Sequence, residues 1–141
     1  MMHLRVVLFF LVLTGMWSCQ SGSEQQTEDA TYSKYYDSVM VIHDRTMPYM
    51  STIENLRQQL KDKKETTEDQ DEIMNINQLL GGLNKGEDAM FDWMQQFKPD
   101  SLQDDEKLRY IQNELINVQR MEDIMMDGIH QAQEFLGVDP K

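Results

Sequence analysis

His43 is the residue best placed for metal chemistry. Met40, Met47 and Met50 stand at minus three, plus four and plus seven from it, and on one continuous helix that spacing brings all four side chains to the same side. Thioethers and imidazole suit Cu(I), so the pattern would serve a soft-metal site. The chain holds 12 methionines in 141 residues, however, and a flexible thioether at helical spacing is ordinarily core filling. Core packing is therefore the expectation for this cluster, with copper binding as the alternative. Glu87 is the polar exception in an apolar stripe of its own. If it meets His43 across a bundle, the two form a buried polar layer that fixes register.

Trp93, Met94 and Phe97 make a second dense cluster. They are expected to plug the core against Tyr36 and Val39. The alternative is an exposed patch, flanked by Pro99 and Tyr110, that docks a partner helix or an extended peptide. The acidic groups Glu68, Asp69, Asp71 and Glu72, and Asp104, Asp105 and Glu106, lack the central glycine and alternating ligands of a calcium loop. They read as helix starts that complement the macrodipole. The chain contains no phosphate-binding glycine loop, no HExxH and no Ser-His-Asp grouping. No enzymatic activity and no cofactor are expected. The net charge of −12 argues against nucleic acid, whose phosphates need clustered Lys and Arg.

Residues 6–17, VVLFFLVLTGMW, are apolar throughout but short of the roughly 20 residues that a membrane span needs. They have the length of a signal-peptide core. Cys19 follows, and it is the only cysteine, which excludes an intramolecular disulfide and a multi-cysteine zinc site. A lone cysteine at this place resembles the lipidation site of a bacterial lipoprotein. Ser18 matches the small residue that such sites carry before the cysteine. Met16 and Trp17 depart from the usual pattern, as in lipoproteins of the Bacteroidota. The resemblance implies a signal peptide over residues 1–18, acylation of Cys19 and attachment to the outer membrane. Residues 19–30, with QSGSEQQTED at their centre, contain too little apolar surface to fold and read as a flexible tether. The expected partners are the membrane, through the anchor, and a protein partner or a second copy.

The helices that position these residues follow from periodicity. Tyr36, Val39, His43, Thr46, Met50, Ile53 and Leu60 form one stripe over residues 32–64, capped by Asp29 or Thr31. Pro48 lies inside it and predicts a kink or a break near residues 44–48. Residues 61–70, KDKKETTEDQ, are the first turn. Ile73, Ile76, Leu80, Leu83, Met90, Met94 and Phe97 predict a second helix over residues 68–97, weakened by Gly81, Gly82 and Gly86, which either let a neighbour approach closely or mark a bend. Lys98-Pro99-Asp100 ends it, and Ser101 is the expected cap of a third helix. The stripe Leu108, Ile111, Leu115, Val118, Met125, Ile129, Ala132 and Leu136 runs to Gly137, with Glu122 as its polar exception.

Short turns between long helices give antiparallel neighbours. The fold class is therefore all-α, an up-down-up three-helix bundle or an elongated hairpin with a third helix, over residues 31–141. The middle helix is expected to touch both others. Folding about turns near residues 66 and 100 predicts two polar layers, His43 with Glu87 and Arg57 with Glu122. Asp44, next to His43, is expected to point away, because adjacent helical positions lie about 100° apart.

Three stretches in combination, Val41-Ile42-His43-Asp44 with Met47-Pro48, AMFDWMQQFK over residues 89–98, and the helix over residues 110–129, resemble a group of small Bacteroidota lipoproteins often labelled viral A-type inclusion protein. The likeness runs from about residue 36 onward. It implies long helices and no catalytic residue. The glycines Gly81 to Gly86 depart from the group's pattern.

Overall fold

The computed structural model describes residues 21–138, with side chains from residue 26; the leader and Cys19 lie outside the described residues. Four α-helices carry the chain: α1 (Ser21–Thr46), α2 (Tyr49–Thr66), α3 (Gln70–Gln96) and α4 (Asp104–Leu136), with a 3-10 turn at Pro99–Ser101. There is no strand among the described residues.

α1 and α2 are two pieces of the first predicted helix, and Pro48 separates them. Proline has no N–H to donate, so the i to i−4 ladder stops at the bond from Met47 N to His43 O, 2.8 Å. The chain then tightens, with Met50 N donating to Met47 O at 3.1 Å and Ser51 N to Pro48 O at 3.3 Å. The Ser51 hydroxyl also donates to Pro48 O, at 2.8 Å. Pro48 itself keeps helical angles, φ −58 and ψ −25, so the arm bends without reversing. Both pieces run alongside α4: Arg45 reaches Glu122, and further on Lys63 lies over the Phe135 ring. α3 runs the other way, with Trp93 against Glu114 and Gly82 against Gly128. The result is an up-down-up three-helix bundle whose first arm is broken.

The middle helix α3 touches both others, as expected, packing on α2 and on α4, but α4 is the helix that reaches every other one. α4 packs against α1, α2 and α3. It is 33 residues long and therefore spans both halves of the broken arm. Its small residues Gly128 and Ala132, buried among Ile111, Val118, Met121, Met125 and Ile129, let neighbours approach from several sides. The core continues through Val39 and Ile42 of α1, Ile53, Leu56 and Leu60 of α2, and Ile76, Leu79, Leu83, Met90 and Trp93 of α3.

Helix ends show which residues cap. Asp69 accepts from Asp71 N at 2.9 Å and opens α3. Ser101 does not cap α4, contrary to expectation. Its hydroxyl donates to Lys98 O at 2.8 Å inside the 3-10 turn, and α4 starts only at Asp104. The linker is held instead by Lys98 N donating to the Tyr110 hydroxyl at 2.8 Å. Gly137 closes α4 in the left-handed conformation, φ 66, as its type predicts. α1 begins at Ser21, so the described part of the expected tether is helical, and neither Asp29 nor Thr31 caps it. Its Glu, Gln and Ala residues favour helix locally, and Thr31 Oγ1 turns back to Thr27 O at 2.7 Å.

Candidate functional site

Two carboxylates stand where the apolar stripes of α3 and α4 are interrupted, and each takes a cation from the first arm. Glu122 of α4 accepts from Arg45 at both oxygens, Nε at 2.7 Å and the terminal nitrogen at 2.5 Å. The buried Thr46 hydroxyl donates to Ile42 O at 2.7 Å and lies 3.3 Å from Glu122 Oε1. Glu87 of α3 pairs with Arg57, which also holds Glu54 and donates to Asn84 Oδ1 at 3.2 Å. Interrupted stripes thus do mark cross-arm polar layers, but the expected pairs, His43 with Glu87 and Arg57 with Glu122, are both replaced. Glu122 meets Arg45, and Arg57 moves to Glu87.

The reason is register. Between α2 and α3, Lys64 meets Asn77 and Arg57 meets Glu87, so Glu87 stands level with residue 57 and not with residue 45. Residues 97–103 run on beyond the end of α3 before α4 begins, so α4 is displaced along the bundle relative to a tight turn near residue 100. Met125 of α4 consequently lies beside Gly86 of α3. Arg45 was missed because it lies beside the first stripe, and only its long guanidinium reaches the carboxylate.

The bidentate pair makes Glu122 a pH sensor for folding. The hydrogen bonds from Arg45 hold its carboxyl below the usual range, with a further contribution from Thr46 and opposition from burial. A depressed folded pKa contributes stability above the unfolded value, near 4.3, and loses it as pH falls through the folded value. Hydrogen bonding to Thr67 and Lys63 depresses Glu72, and bonding to Lys107 depresses Asp104, in the same direction. Glu122→Gln is therefore expected to lower stability at pH 7 and to flatten the decline below pH 4.5. Urea denaturation across pH 3–7 checks this, and an unchanged acid slope would contradict it.

His43 lies beyond the Arg45–Glu122 layer, on the side away from Arg57; its side chain is 18% exposed, with its ring 5.5 Å from that of Trp93. Its Nδ1 lies 3.0 Å from Asp44 Oδ1, where an N–H donates to the carboxylate. The expectation that Asp44 points away is thus corrected: a short side chain turned back along the helix spans the angle between neighbours. Met40 is half-buried, Met47 is exposed in the break and Met50 packs on the core from α2. The continuous stripe assumed for the soft-metal set is interrupted at Pro48. No group of three or more His, Cys, Asp or Glu poised for a metal occurs among the described residues.

Trp93, Met94 and Phe97 plug the core and do not form an exposed patch. Trp93 is buried and stacks on Phe97 at 4.9 Å; Phe97 lies 6.0 Å from Tyr36 and 6.3 Å from Tyr110. Tyr36 in turn lies 6.1 Å from Tyr32. Trp93 Nε1 donates to Glu114 Oε2 at 2.9 Å, and Asn117 donates to Glu114 Oε1 at 3.0 Å. Glu114 and Gln133 are buried polar residues that the stripe analysis passed over. Glu114 is three residues after Ile111 and four before Val118, so its spacing carried the signal.

Comparison of the chain with protein-family models, curated proteins and solved structures finds no match. No helix among the described residues is long and apolar enough to cross a membrane.

Proposed function

We propose that this chain is a lipid-anchored helical module of the cell envelope, held at the outer membrane, that binds a protein partner or supports envelope structure and performs no catalysis. The observation that carries this reading is the placement of Cys19, the only cysteine, directly after the apolar run of residues 6–17. That placement is also the basis of the resemblance to bacterial lipoproteins. The acid–base pairs described above join helix to helix, which supports a role in shape and binding.

Acylation would dominate the affinity for a bilayer. Each buried CH₂ contributes about 0.8 kcal/mol, and two or more chains anchor firmly where one is marginal. The net charge of −12 would otherwise keep the chain away from anionic lipid. Metabolic labelling with a palmitate analogue is expected to tag the protein, and Cys19→Ala is expected to abolish the label and leave the protein out of the membrane fraction. Equal labelling of both proteins, or of neither, would overturn the reading.

A further inference from the structure

Between α2 and α4 runs a groove of about 520 Å³, within the range of small-molecule sites. Apolar atoms of Leu56, Met126 and Ile129 contribute to its lining, together with the polar side chains of Thr52, Asn55 and Gln133. The lining contains no Lys, Arg, Asp or Glu, in a chain of which those four types make up 27%, and His130 is its one side chain able to turn cationic. An uncharged wall on so highly charged a protein disfavours an ionic ligand, which would lose hydration without gaining a counter-charge.

Gln133 supplies the second observation. It is 8% exposed, and its Oε1 is buried without a hydrogen-bond partner. A buried amide oxygen without a donor costs about 1–3 kcal/mol, so a turn of the Gln133 side chain that brings the now enclosed Oε1 to the groove and to a donor there is favoured. The helix end provides none: Gly137 N and Val138 N bond to backbone carbonyls of the last turn, including that of Gln133.

We propose that this groove binds an uncharged amphipathic small molecule, which lays an apolar face on Leu56 and Ile129 and donates one N–H or O–H to Gln133 Oε1. Asn55 and Thr52 offer further donors and acceptors along the same wall. The site is independent of Cys19 and of any lipid.

Benzamide and methyl benzoate are suitable probes, because both are flat and uncharged and only the amide carries N–H donors. Titrated into ¹⁵N-labelled full-length chain, benzamide is expected to shift the Gln133 and Asn55 side-chain amide signals saturably, and methyl benzoate to bind at least fivefold more weakly. Gln133→Met is expected to keep the helical circular dichroism spectrum and to abolish the preference for benzamide. No saturable shift at Gln133, equal binding of the two probes, or a preference that survives in Gln133→Met would each overturn the proposal. The probe comparison decides the matter in the unaltered protein, whatever the variant does.

Discussion

Gly128→Ala is expected to destabilise the bundle by about 2 kcal/mol, although alanine is the better helix former by about 1 kcal/mol. A Cβ at Gly128 would lie 2.7 Å from the carbonyl oxygen of Gly82 and 3.0 Å from its carbonyl carbon. Those are backbone atoms of α3, and they cannot swing aside as a side chain can. The helices must separate, and separation loosens the contacts of Leu83, Met125 and Ile129, all buried. Gly81 provides the opposite case within the same motif. Nothing lies within 4 Å of a Cβ built there, and the site is exposed. Gly81→Ala should therefore raise stability by about 0.5–1 kcal/mol through propensity alone. Urea denaturation of the two variants gives both numbers. Changes of the same sign would show that α3 and α4 do not meet at Gly82 and Gly128.

Trp93→Ala is expected to cost about 3–5 kcal/mol, the largest loss from any single side chain considered. The ring is buried, stacks on Phe97 and meets His43, so its removal opens a cavity between α1, α3 and α4. It also takes away the Nε1 donor on which the buried Glu114 depends, at 2.9 Å, leaving only Asn117. A buried carboxyl group deprived of a partner adds about 1–3 kcal/mol. Glu114→Leu removes that second penalty, so the double variant should be more stable than the sum of the two losses by about 1–2 kcal/mol. A double-mutant cycle measured by denaturation tests this. Additivity within about 0.3 kcal/mol would mean that the indole and the carboxyl group are not coupled.

The helical arms, the break and the place of each turn were legible because each depends on local signals, although α1 starts earlier, at Ser21, and the first turn is narrower, since helix runs to Thr66 and resumes at Gln70. Pro48 removes a donor wherever it sits, Gly137 accepts a positive φ, and apolar residues at three-four spacing mark the buried face. Register was less legible, because it depends on how the chain travels through the break at Pro48, the turn after Thr66 and residues 97–103 before α4 begins. No propensity encodes that distance. The stripes identified Glu87 and Glu122 as residues that require partners, and both have them, but from Arg57 and Arg45. Glycine roles divide in the same way. Close approach or a bend was expected at Gly81, Gly82 and Gly86: Gly86 is closely approached, with Met125 Cα 2.9 Å from where its Cβ would lie, while Gly81 faces open space and the tightest contact falls on Gly128, whose partner Gly82 lies far away in the chain. Trp93 shows where composition left two answers open. A dense apolar cluster at a helix end was expected to be a plug, with a patch as the alternative, and the aromatic contacts with Tyr36 and Tyr110 place it inside.

The proposed attachment through Cys19 can be tested most directly by intact mass spectrometry of the mature protein extracted from its native membrane. The expected species begins at Cys19 and carries the added mass of two or three acyl chains. A species that retains residues 1–18, or that begins near Cys19 with an unmodified thiol, would contradict the proposal.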